Sequence, residues 1–360
     1  MEFSILDHYV IFLYFLKKGA KILFFLYLDA FFVFLPQISK MFYYLNKNTI
    51  VQWVLVALLL AWGIFTIVTE ITVCPADGQS IFFQYLASFW TAHPIHLKVT
   101  CILLLLLESL LIGHFYSANR FADNKTIIPV VFFLLTMNVG GFVKTLTPAV
   151  LTLVFTTLII MVNTQDENER PVKNRVFTSG LLVGISALFD PVSVVSVVFL
   201  TMALITHRYS KSKEIAIMLF GLLFVTAYLF GGFFIAGKMP VLMASLKQLS
   251  FFGVFKSLKS LDVLDYVFVG YTILLVVYLI IQLKLYYDNK LIVLRKRLVT
   301  IHLLMFVMVA VLLLAGLPLQ QGLIYLILPI TMYFSMITLY KSRIVLHDIL
   351  ILAFYVLLWL

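Results

Sequence analysis

The feature that most constrains this chain is a long succession of continuous apolar runs separated by short polar loops. In lipid, every backbone N–H and C=O must be satisfied within the protein, so a spanning run is a helix or a strand of a closed barrel. Barrel strands alternate apolar and polar residues. These runs do not alternate, so helices are expected. Composition agrees: 63% of residues are hydrophobic and 12% charged, roughly half the charge of a soluble domain. The expected fold is all-α, a multi-pass transmembrane helical bundle.

The runs fall at Ile50–Thr69, Val99–Ser117, Ile127–Val143, Leu146–Val162, Ile215–Ala236, Tyr266–Gln282, Leu298–Gly316, Leu323–Tyr340 and Ile344–Leu360. Between Asn174 and Arg208 lie two shorter arms that meet at Asp190-Pro191. At 1.5 Å per residue each arm reaches only about 20 Å, against a hydrocarbon core of about 30 Å. Neither arm is suited to face lipid alone, and Asp190 would be costly there unless it met protein or water. With each arm as one segment, eleven membrane segments are expected.

A net charge of +10 would point to nucleic acid in a soluble protein. Here the basic residues sit in loops and read as a topology signal, so no nucleic-acid partner is expected. One alternate set of loops, from Arg120 to Arg343, holds fifteen Lys and Arg; the opposite set holds six, at 98, 144, 238, 247, 256 and 259. The richer set is expected to be cytoplasmic. This parity requires the two arms to form a hairpin with Asp190-Pro191 at its outer end. Two cysteines, Cys74 and Cys101, are too few for a disulfide framework and are expected as free thiols.

The same parity gathers the candidate site residues on one outer face. The loop at 70–98 supplies Glu70, Asp77, His93 and His96, and an amphipathic stretch from Ile81 to Trp90 that suits an interfacial helix. Lys144 and Asp190 join them. His93 and His96 are three apart, a neighbour spacing on a helix, but Pro94 and the lack of a third ligand leave no metal site expected. In the connection at 238–262, Phe251, Phe252, Phe255 and Leu258 interleave with Lys247, Lys256 and Lys259, a pattern for docking on a membrane surface or holding a lipid-linked phosphate. Glu108 and His114 lie inside the run 99–117, where a carboxylate usually faces protein and pairs or protonates. The pairs Gly140-Gly141 and Gly231-Gly232 read as packing or kink sites. No phosphate loop, dinucleotide fingerprint or nucleophile elbow occurs, and no cofactor is expected.

Residues 1–46 form an N-terminal extension whose apolar pieces, divided by Lys17, Lys18 and Lys21, are short for spanning. It is expected either as an interfacial segment or as sequence upstream of a start at Met41. A membrane core is expected over 47–237, and a four-helix region with its outer amphipathic connection over 238–360.

The run Gly180-Leu-Leu-Val-Gly184-Ile-Ser-Ala-Leu188-Phe-Asp190-Pro191, following a basic loop, resembles a segment of the GT-C membrane glycosyltransferases. So do the large first outer loop and the Asn119-Arg120-Phe121 turn. The resemblance covers about residues 50–237, the first seven segments. The same region is similar to an uncharacterised family of bacterial polytopic inner-membrane proteins. Such a resemblance implies a bacterial inner-membrane location, polyprenyl phosphate and membrane lipid as partners alongside other membrane proteins, and a role in cell-envelope assembly. By that likeness Asp77 or Glu70 would act as catalytic base. Asp190 and Lys144 would shape the pocket, and His93, His96 and Lys256 would contact substrate. The chain departs from the glycosyltransferase pattern at three places, the first being that only Glu70 and an isolated Asp77 stand where those enzymes usually carry Asp-Glu in the first outer loop. No acid stands around Thr145–Pro148, and Asp190 replaces the lysine before the hairpin proline. A scaffold without a complete catalytic site is therefore the leading expectation, with a glycosyltransferase and a transporter as alternatives.

Overall fold

The computed structural model describes residues 48–74, 80–121, 126–164, 172–206, 212–240, 242–243, 263–287, 292–314, 319–339 and 345–359. Met41 and the extension before it lie outside this set, as do Asp77, Lys247, Lys256 and Lys259. The described residues form twelve α-helices and one two-stranded sheet. In order these are α1 (Thr49–Glu70), β1 (Thr72–Val73), α2 (Ile81–Ala92), α3 (Pro94–Ala118), α4 (Ile128–Val139), β2 (Thr145–Leu146), α5 (Pro148–Thr164) and α6 (Val172–Phe189). A 3-10 turn (Pro191–Val195) leads into α7 (Ser196–Thr206), followed by α8 (Ser212–Ile235), α9 (Val263–Tyr287), α10 (Ile292–Leu314), α11 (Leu319–Leu339) and α12 (Val345–Trp359). Four of the helices are long and apolar enough to cross a membrane: α1, α3, α8 and the Gln321–Leu339 part of α11.

Local chemistry sets the helix ends. Asn48 caps α1, its side-chain oxygen accepting from the N–H groups of Ile50 (3.0 Å) and Val51 (3.4 Å). Proline stands at the start of α3, where its missing N–H costs nothing. His93 separates α2 from α3, so His96 lies within α3 rather than in a loop. The expected span 127–143 is shorter, because α4 stops at Val139 and the chain turns through Gly141 at φ 66°. A side chain there would be strained, so this glycine ends the helix rather than packing it.

Burial separates outer helices from a central one. α1 and α8 leave Trp53, Leu58, Phe65, Phe220, Leu223 and Tyr228 exposed, the surface expected of helices that meet hydrocarbon. α11 is buried along almost all its length, as an all-round apolar helix should be. It packs against α10, α4 and α5, so the C-terminal region shares one hydrophobic core with the N-terminal helices.

Among the described residues the pair α6 and α8 makes the most extensive helix contact. A Cβ on Gly180 would stand 2.1 Å from the Met218 carbonyl oxygen, and one on Gly221 would stand 2.6 Å from that of Phe177. Small residues at this seam let the two backbones touch. Gly231 and Gly232, expected as packing or kink sites, by contrast face nothing within 4 Å, and the close packing is made by Gly180, Gly184 and Gly221.

Candidate functional site

Most of the described candidate residues collect at one end of the bundle, and the small sheet organises it. After Glu70 the backbone becomes extended at Ile71, and β1 pairs in parallel with β2, Thr72 opposite Thr145 and Val73 opposite Leu146. Thr72 N–H donates to the Lys144 carbonyl (2.8 Å) and Cys74 N–H to that of Leu146 (3.0 Å). This seam joins residues more than seventy positions apart. It sets the Lys144 ammonium 2.8 Å from the Glu70 carboxylate, both side chains about half exposed.

Asp190 is placed differently. At the turn between the two arms it had to meet protein or water, and it meets protein: only 7% of it is exposed. One carboxylate oxygen accepts from the Val192 N–H (3.1 Å) and caps the 3-10 turn. The other accepts from the Tyr325 hydroxyl of α11. A carboxylate can be buried when its lone pairs are met in this way. The break between the two arms is thus held from inside, by a helix from the far end of the sequence. Ser80 reinforces it: its hydroxyl donates to the Phe189 carbonyl (2.7 Å) while accepting from the Phe83 N–H (3.2 Å), tying the start of α2 to the end of α6.

Helix α2 lies across this end. Phe82 meets Phe233 of α8 edge-on, with centroids 6.4 Å apart, and the Lys238 ammonium stands 6.0 Å from the Tyr85 ring centroid. His93 and His96 are exposed. Both rings lean on Phe89, at 4.9 and 5.5 Å, and are 5.7 Å from each other. Among the described residues no group of three His, Cys, Asp or Glu side chains is placed to hold a metal. Cys74 and Cys101 are free. Cys74 accepts a hydrogen bond from the Gln321 side chain (3.3 Å), and burial pushes its thiol pKa up against that bond.

The sequence-derived residues thus divide. Glu70 and Lys144 come together, His93 and His96 pair on the surface, and Asp190 turns inward to Tyr325. Tyr325 was not anticipated. It lies inside an apolar run, and nothing in its neighbourhood signals a carboxylate 135 positions earlier.

A separate polar feature lies deeper. A cavity of about 30 Å³ runs between α1, α3, α4 and α5, lined by Ile67, Cys101, Glu108, Met137 and Leu153, with Ile71, Thr145 and Leu146 on its β1–β2 side. Glu108 is its single acidic lining residue.

No protein-family model, curated protein or solved structure matches this chain.

Proposed function

We propose that this chain is an integral protein of the bacterial inner membrane, a scaffold with a GT-C-like helical frame that serves cell-envelope assembly without a complete catalytic site. The observation that carries this reading is the state of Asp190. By the resemblance Asp190 would help to shape a substrate pocket, and a group in that role must be open to the substrate. Asp190 instead caps a turn and accepts the Tyr325 hydroxyl in a nearly closed setting. The exposed α2 surface with His93 and His96 and the Lys238–Tyr85 contact suit the level of lipid headgroups.

The test is complementation. Cells lacking the protein receive Glu70→Gln, Asp77→Asn or Asp190→Asn, and transfer of sugar from polyprenyl-phosphate donors is followed together with the envelope glycan profile. Glu70→Gln and Asp77→Asn are expected to restore the wild-type profile. Loss of sugar transfer in either variant, with normal amounts in the membrane, would replace this reading with a glycosyltransferase. That second reading draws on the acid–base pair Glu70–Lys144 at the β1–β2 seam.

A further inference from the structure

The cavity at Glu108 carries an inference independent of the Glu70–Lys144 pair. Glu108 stands midway along α3, is 3% exposed, and touches the hydroxyl of Thr157 on α5 through Oε1. Oε2 has no hydrogen-bond partner among the described residues. The surroundings contribute nothing that would hold a full negative charge. α1 brings Ile67, Ile71 is the extended residue after that helix, α4 brings Phe133 and Met137, and α5 brings Val150, Leu153 and Val154. Cys101, on α3 itself, is the one other titratable group lining the cavity.

Counting protons decides the form of the carboxyl. Thr157 has one hydroxyl proton and two neighbours for it, Glu108 Oε1 and the Leu153 carbonyl at 3.1 Å. If Thr157 gives that proton to an ionised Glu108, a buried charge is left with a single hydrogen bond and a bare Oε2 in an apolar cavity. That arrangement is costly in a membrane interior. If Glu108 brings its own proton, Thr157 is free to satisfy Leu153, and only a neutral oxygen lacks a partner. The second arrangement meets more of the groups present.

Cavity size then identifies what Glu108 exchanges with. A water needs roughly 10–15 Å³ of such space and polar partners to stay. The volume of about 30 Å³ therefore admits water. Thr145, half-buried at the β1–β2 edge, supplies the polar group at the other side of the cavity.

We propose that Glu108 is an intramembrane proton-binding site, a neutral carboxylic acid that exchanges its proton with water entering from the β1–β2 end. The step is balanced: hydronium in the cavity gives its proton to the carboxylate and leaves as water, and the reverse returns it.

Infrared spectroscopy of the purified full-length protein in lipid vesicles tests this. The wild type minus Glu108→Gln difference at neutral pH should contain the carbonyl band of a protonated carboxylic acid. Transfer to heavy water should shift that band within minutes, while the backbone amides of α3 remain largely unexchanged. Thr157→Val, which removes the partner and keeps the carboxyl, should move the band without abolishing it. Absence of the band, or its insensitivity to Thr157→Val, overturns the assignment of a neutral Glu108. A band that resists heavy water as long as the helix amides identifies a sealed structural group and overturns the exchange site. Should Glu108→Gln fail to fold, the response of the wild-type band to Thr157→Val and to heavy water gives the same decision.

Discussion

At the scale of single residues, this protein uses its few charged and small side chains in opposite ways. Glu70 and Lys144 meet where both are about half exposed. Water screens them, so their coupling in a double-mutant cycle is expected to stay below about 1 kcal/mol and to fall as salt is added. Gly180 admits no such tolerance. Its absent Cβ is replaced by the Met218 carbonyl oxygen, and Gly180→Ala should destabilise the protein by about 1–3 kcal/mol through overpacking. Thermal unfolding in detergent measures this, with Gly231→Ala, where a Cβ meets open space, expected to remain near wild type. Cys74 gives a pH-dependent readout. Only the thiolate reacts, and burial raises its pKa. Maleimide labelling of Cys74 in Cys101→Ala protein should therefore be slower than for an exposed cysteine at neutral pH and rise toward alkaline pH.

At the scale of elements, the helices follow from the sequence where an apolar run meets a terminator, and depart from it where a turn depends on backbone conformation. α1 runs within one residue of its expected ends, between the Asn48 cap and the extended Ile71. α4 is shorter than its apolar run because Gly141 takes a positive φ, which an apolar pattern does not encode. The start of α4 depends on another helix: Gln52 of α1 accepts from the Ile127 N–H (3.1 Å) and the Thr126 hydroxyl (3.3 Å). Gln52→Ala strands both donors in a buried setting. It is expected to cost about 1–3 kcal/mol, and hydrogen exchange should show faster opening at the first turn of α4 than elsewhere in the bundle.

At the scale of the whole molecule, the decisive feature is how α11 reaches back into the first half of the chain. Its Tyr325 holds Asp190 at the break between α6 and α7, and Gln321 meets Cys74 beside β1. Tyr355 of α12 bonds Thr136 of α4 (3.0 Å), a second tie across the same core. Tyr325→Phe leaves a buried carboxylate oxygen without its donor, with an expected loss of about 2–3 kcal/mol in unfolding measurements. Asp190→Asn keeps the cap at Val192 and should cost less. Cleavage between α8 and α9 is expected to leave the two halves associated through this core, a result that co-purification of the fragments would show.

By itself, the sequence determined the kind of fold and most of its elements, because apolar runs, prolines and caps act over a few residues. It also marked Asp190-Pro191 as a break and Glu108 as an acid inside an apolar run that would face protein. Tertiary structure alone decided what those carboxylates do. Glu70 finds Lys144 through a parallel pairing of two residues per strand, Asp190 finds a tyrosine from a late helix, and Glu108 finds Thr157 beside a cavity. Tyr325 and Thr157 sit in ordinary apolar runs, where nothing local distinguishes them. The physical reason is reach: periodicity and capping are set by neighbours along the chain, whereas the partner and solvent access of a buried charge are set by whichever helix packs beside it.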